Sequence, residues 1–228
     1  MSLHTTLEFL EQLRNNNNKE WFEENRKQYE LARAAFESLI ANVITQFHTV
    51  DDIHGLAPKD AMFRINRDVR FSKDKSPYNT NMSALIGLDG RKSMGRSYYI
   101  RVAPGNESVV ASGAIGLSGP ELHKIREAIV ADAQPLRAII NANSFKEMFG
   151  HLRGDQLKTA PKGFPKDHPD VDLLRFNSFM AEHHFVDEEV VDDHFVENII
   201  GVCQAAKPLT MYLDQLLGER VKPERGRH

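Results

Sequence analysis

The segment from Phe63 to Tyr78, FRINRDVRFSKDKSPY, is the chemically densest stretch of the chain. Arg64, Arg67, Arg70, Lys73 and Lys75 stand there against only Asp68 and Asp74, a net +3 on a protein whose formal charge is −3. A cationic patch on an acidic chain concentrates positive potential locally, so its natural counterpart is an anion. Phe63, Ile65, Val69 and Phe71 take odd positions, while Arg64, Asn66, Asp68 and Arg70 take even ones. That period of two predicts a half-buried strand, or two short strands about a turn at Asn66-Arg67-Asp68, with one polar face. Alternate residues on such a face lie roughly 7 Å apart. Two guanidinium forks at that separation can grip a phosphate or a carboxylate from both sides. Ser72, Ser76 and Tyr78 add hydroxyls, and the Lys-Asp-Lys-Ser-Pro turn adds backbone amides. The expected ligand-binding set is therefore Arg64, Arg67, Asp68, Arg70, Ser72, Lys73, Lys75 and Tyr78, around a small anionic or phosphorylated ligand.

A second reading of the same charges is that they pair with one another, Arg64 with Asp68 and Asp74 with Lys75. In that case the motif belongs to a structural or interaction protein that does not catalyse. Exposed pairs of this kind are worth only about 0–1 kcal/mol and need no ligand to explain them. The segment holds no nucleophile–base pair, so binding chemistry is expected before bond-breaking chemistry, and no catalytic residue or cofactor is assigned.

Three other groups invite chemistry. Lys158 to Arg175, KTAPKGFPKDHPDVDLLR, is a proline-rich polar stretch that predicts an irregular loop up to Asp170. Loops of this length inside compact domains often carry function, and Lys162, Lys166 and His168 could join the arginines around one anion. The alternative is a stiffened surface loop whose Phe164 plugs into the core. His183-His184 precede a block rich in Asp and Glu, with seven acids and no Lys or Arg from Glu182 to Glu197. Adjacent histidines on a strand point to opposite faces, and no familiar metal-ligand spacing occurs. No metal is expected, and the acids read as helix N-terminal charges and caps. Cys203, on a helix rich in Ile and Val and without an adjacent histidine, reads as a packing residue. Trp21, Tyr98 and Tyr99 could stack on bases, but strand alternation turns only one of the two tyrosines outward, too little for a nucleic-acid platform.

The elements that must position these residues are legible from periodicity. Leu7, Leu10 and Leu13 predict a first helix, broken by the run Asn15–Asn18. Asn17 and Glu20 form a capping-box-like pair that predicts a long second helix with Phe22, Tyr29, Phe36, Leu39, Val43 and Phe47 on its inner stripe. Met82–Leu88, Ser97–Ala103 and Ser108–Ile115 predict three strands of an antiparallel meander, separated by Asp89-Gly90 and Pro104-Gly105-Asn106. Ser118-Gly119-Pro120-Glu121 is a capping box opening a helix to about Ala131. Short helices at Pro135–Asn141 and Ser144–Phe149, a returning strand within Phe176–Phe185 and a last helix from Asp193 to Leu217 complete the order. Helices, then strands, then helices predict an α+β fold with a central antiparallel sheet. No linker divides the chain, so one domain over residues 1–217 is expected, with a polar tail at 218–228.

Bulk properties agree with that frame. Hydrophobic residues make up 41% and charged residues 27% of the 228, ordinary globular usage. Lys and Arg, 29 in all, against 32 acids give no general case for nucleic acid. The single cysteine suits a reducing compartment. Met1 to Thr6 lacks a basic-then-apolar leader, and no stretch approaches the ~20 apolar residues of a membrane span. A soluble, cytoplasmic protein without a membrane partner is expected.

The charged segment also carries a resemblance. Phe63-Arg64, Arg67-Asp68, Arg70-Phe71-Ser72-Lys73-Asp74-Lys75 and Pro77-Tyr78 resemble the signature of an uncharacterised family of bacteria and fungi, the domain of unknown function 2461 family. Asn18-Lys19-Glu20-Trp21-Phe22, Tyr98-Tyr99, Pro161-Lys162-Gly163-Phe164 and His168-Pro169 are similar to its other markers, spanning about Leu7 to Leu217. Where the family pattern leads one to expect a lysine after Pro-Tyr, this chain has Asn79. The resemblance implies one family-wide domain and no particular activity.

Overall fold

The computed structural model describes residues 3–53, 55–93 and 96–218. Three helices open the chain: α1 (His4–Asn15), α2 (Lys19–Glu24) and α3 (Arg26–Gln46). The asparagine run does end α1, but the cap of α2 is Asn18, whose side chain accepts from the Trp21 N–H at 2.9 Å. Asn17 is used otherwise: its amide donates to the Tyr78 carbonyl at 2.9 Å and accepts from the Tyr78 N–H at 3.1 Å. One side chain thus imitates a neighbouring strand and ties the first loop to the end of the basic segment. The single long helix expected from the apolar stripe is broken at Asn25, whose amide folds back onto the Trp21 carbonyl. A side chain that bonds locally to backbone competes with helix continuation.

After the short α4 (Pro58–Ala61) come β1 (Met82–Gly87), β2 (Ser97–Val102) and β3 (Ser108–Ala114), then α5 (Gly119–Ala131), α6 (Gln134–Asn141), α7 (Asn143–Phe149) and α8 (Val171–Leu174). β4 (Phe179–Phe185), α9 (Asp187–Val190) and α10 (Phe195–Leu217) complete the order. The four strands form one antiparallel sheet in sequence order, and with helices at both ends the fold is α+β. The three meander strands expected between turn residues, and the Ser118–Glu121 capping box, stand where the sequence puts them. The polar tail expected at 218–228 lies, after Gly218, outside the described residues.

Register decides what faces the core. Ala84, Ile86, Tyr98, Ile100, Val110, Phe179, Ala181 and Phe185 are buried on the face against which α10 packs, while α3 packs on β1 and α10. These residues belong to one continuous apolar cluster that runs from Leu3 on the N-terminal side to Leu217. The opposite face carries Leu85, Tyr99, Arg101, Glu182 and His184, none of them fully buried. β3 and β4 approach so closely at Gly113 that a Cβ there would lie 2.0 Å from the Phe179 carbonyl oxygen, and its φ of +138° is one that L side chains rarely adopt. α10 continues through Pro208 and buries Cys203 in the core, where loss of solvation pushes the thiol pKa up.

Candidate anion-binding site

The basic segment is not a strand. Met62 bridges Ala84 on the free edge of β1, and the Phe63 N–H donates to the Ser83 carbonyl at 2.9 Å. The chain then turns away and closes on itself. Asn66 bridges Tyr78, the Arg67 N–H donates to the Pro77 carbonyl at 2.9 Å, and the Asn79 N–H donates to the Ile65 carbonyl at 2.8 Å. Residues 67–77 form a loop closed at its neck, the geometry of an Ω-loop. Alternation failed here because the polar side chains find partners inside the loop, and no sheet lies beneath its apolar ones. Phe71 is 97% exposed, with the Arg70 guanidinium 5.9 Å from its ring centre.

The loop's charges are largely spent on its own shape. Arg67 donates to Asp74 and, at 3.1 Å, to the Ser76 carbonyl. Asp74 also accepts from the Ser76 N–H at 2.9 Å and hydroxyl at 2.6 Å, and this hydroxyl bond leads the causes that hold its carboxyl far below the usual carboxylate range. Arg70 forks onto Asp68, Nε to Oδ1 at 2.9 Å and Nη2 to Oδ2 at 2.7 Å, bringing Asp68 down to about 2. Lys75 Nζ donates to the Val69 carbonyl at 2.9 Å, and the Ser72 N–H to the same oxygen at 3.3 Å. The pairs are thus Arg70–Asp68 and Arg67–Asp74, in place of Arg64–Asp68 and Asp74–Lys75. Tyr78 is buried, its ring stacked on Phe22 at 4.0 Å, so it anchors the neck of the loop. Lys73 is exposed at the crown.

Lys162 and His168 sit elsewhere. Their loop leaves the β4 edge, where Arg153 bridges Met180 and Gln156 bridges Phe176, whereas the basic segment lies along the β1 edge at the other side of the sheet. Phe164 packs edge-on against His123 of α5 at 5.5 Å and touches the core, and His168 Nδ1 accepts from the Asp170 N–H at 3.1 Å. The acids after His184 cap local structure. Asp187 accepts from the N–H groups of Gly105 and Asn106 at 2.8 and 2.9 Å, and Glu189 from the Val186 N–H at 2.9 Å.

Arg64 is the exception within the segment. It lines an open concavity together with Tyr29, Arg33 and Phe36 of α3, Met62, Phe63 and Ile65 of its own stretch, Asn79 and Asn81 leading into β1, and Met82 and Ser83 within it. Tyr29, Arg33 and Phe36 fall at i, i+4 and i+7, one face of a helix. Neither Arg33 nor Arg64 makes an ion pair among the described residues, although Arg64 is near enough to Asp68 to help lower it. Burial pushes the Tyr29 phenol up, and the charges of Arg33 and then Arg26 pull against that. Phe36, Ile65, Met62 and Met82 are buried and form an apolar floor, and the Asn79 amide leans on the Arg64 carbonyl at 3.5 Å. Two guanidiniums, two amides and the hydroxyls of Tyr29 and Ser83 belong to its lining residues and suit anion binding, and among the described residues no carboxylate, histidine or thiol lines it. Sequence reasoning missed Arg33 and Tyr29. The available signal was that Arg33 lies one helical turn from Tyr29 on the stripe that also carries Phe36.

The fold and this concavity define an α+β protein with a braced cationic loop and an arginine-lined pocket beside it. The chain belongs to the family described as conserved hypothetical protein (DUF2461), which matches residues 5–212. No curated protein and no solved structure matched it.

Proposed function

We propose that this protein binds a small anionic or phosphorylated ligand in the concavity between α3 and the Met62–Ile65 stretch, with Arg33 and Arg64 as the anion-facing groups. One observation carries the reading: two guanidiniums without a carboxylate partner among the described residues line a single pocket. Arginine offers a planar fork matched to phosphate or carboxylate oxygens, and Asn79, Asn81 and Ser83 add neutral hydrogen-bonding groups. A thermal-shift titration with inorganic phosphate tests it. A ligand at ~100 times its dissociation constant stabilises by about 2.7 kcal/mol, and this shift is expected in the wild-type chain and lost in Arg64→Ala. An equal shift in Arg64→Ala would remove the pocket from the account.

The rest of the motif supports a second, structural role. Arg67–Asp74 and Arg70–Asp68 brace the 67–77 loop from within, so binding and bracing are divided between neighbouring arginines. Arg67→Ala is expected to raise cleavage within residues 67–77 in limited proteolysis, and an unchanged pattern would contradict the brace. We also propose a cytoplasmic location, which a lone buried cysteine suits. No helix among the described residues is long and apolar enough to cross a membrane.

A further inference from the structure

We infer that the outward face of the sheet is a self-complementary surface on which two copies of this chain pack as a weak, reversible two-fold dimer. The inference stands apart from the anion-binding reading. Strand register sets two rows on this face: Arg101, Val109 and His184 lie side by side, and Leu85, Tyr99, Ala111 and Glu182 make the next row. Leu85, Tyr99, Val109 and Ala111 neither belong to the core cluster nor pack against it. A sheet face left to water is normally polar, so an apolar stripe across the middle of one calls for a cover. The rim repeats the mismatch. Phe63, tilted against Tyr99 at 6.4 Å, is 42% exposed. Ile115 and Val186, which continue the outward alternation past β3 and β4, are 62% and 43% exposed.

Charge selects the partner. Arg101 on β2 donates Nε and Nη2 to the Glu107 carbonyl at 3.2 and 2.8 Å and makes no ion pair among the described residues. Glu182, on the other side of β3, has no closer ionic contact among the described residues than His184 Nε2 at 4.0 Å. A membrane or a nucleic acid asks for one sign of charge, whereas this face carries opposite signs on either side of the small residues Ala111 and Gly113. A two-fold axis along β3 lays the β2 side of one copy over the β4 side of the other, so Arg101 falls within one row of Glu182 of the other copy. Small residues at the axis let the sheets close to the usual ~10 Å. Four strands about 4.8 Å apart and about 22 Å long present roughly 400 Å² in projection, and side-chain relief with the exposed rim enlarges it. Two such faces reach only the lower end of specific interfaces, about 1,000–1,200 Å² in total, so the association is weak.

The experiment is sedimentation velocity of the full chain, repeated on Arg101→Glu, Glu182→Arg and the double swap Arg101→Glu/Glu182→Arg. Melting curves first confirm that the variants fold. The wild-type chain is expected to pass from monomer to dimer between about 1 µM and about 1 mM, the range that a small interface supports. Each single reversal sets like charges against each other and should weaken the dimer at least about tenfold, a cost of about 1.4 kcal/mol. The double swap restores opposite charges across the two-fold and should bring association back towards the wild-type value. A wild-type chain that stays monomeric over the whole range overturns the inference. A dimer that ignores the single reversals, or that the double swap fails to restore, overturns it too, because association then uses another surface.

Discussion

Arg64 and Arg67 are three residues apart and are placed differently: Arg67 bonds Asp74, whereas Arg64 makes no ion pair among the described residues and lines the concavity. Arg33 and Arg64 are exposed, so Arg33→Ala and Arg64→Ala are expected to leave the melting midpoint close to that of the wild-type chain while removing phosphate-induced stabilisation. A large loss of intrinsic stability in either would assign it to the fold instead. Asp68 gives a pH test of the brace. The Arg70 fork holds its carboxyl at about 2, below its ordinary 3.8. A depressed carboxylate contributes stability above the unfolded value and loses it as pH falls through the folded one. The Asp68–Arg70 brace should therefore be intact at neutral pH and fade from about pH 4 down to about pH 2. Carbon-detected NMR of the Asp68 carboxyl should show a midpoint near the lower end, moving up towards the ordinary value in Arg70→Ala. A midpoint near 3.8 in the wild-type chain would mean that the fork does not persist in solution.

At the scale of elements, the hydrogen bonds that the basic segment makes with its neighbours position the site. Asn17 gives two bonds to the Tyr78 backbone. Each net bond is worth about 0.5–1.5 kcal/mol, so Asn17→Ala should cost about 1–3 kcal/mol in urea unfolding. An effect near zero would show that the neck is held by the Phe22–Tyr78 stack alone. Gly113→Ala should be worse, because its Cβ meets the Phe179 carbonyl oxygen of β4. A loss of several kcal/mol, or failure to fold, is expected, and a neutral result would contradict the β3–β4 register. β1, β2, β3 and the capped α5 were legible in the sequence because local propensity and burial agree there. The 63–71 stretch was misread because alternation records polarity, not whether a sheet lies beneath it: Phe71 keeps the period yet faces solvent. Asn25 was missed because a side chain bonding its own backbone leaves no periodic trace. The candidate pocket was half legible. Arg64 was named from local charge, whereas Arg33 enters only when α3 packs beside β1, a contact that local sequence does not encode.

For the whole molecule, one apolar cluster joins α1 to α10 across the sheet. Urea unfolding monitored by Trp21 fluorescence and by far-ultraviolet circular dichroism should therefore give coincident single transitions. Separate midpoints would divide the chain into more than one folding unit. Phe36 of α3, Met62, Ile65 and Met82 belong to that cluster, so the walls of the candidate pocket form with it. The central claim is that anion binding happens between α3 and the Met62–Ile65 stretch. The most direct test is a two-dimensional amide NMR titration with inorganic phosphate. Shifts should concentrate at Tyr29–Phe36, Met62–Ile65 and Asn79–Ser83, saturate with one binding constant, and vanish in Arg64→Ala. Shifts centred on the loop crown at Phe71–Lys75, or on the loop around Lys162 and His168, would contradict it.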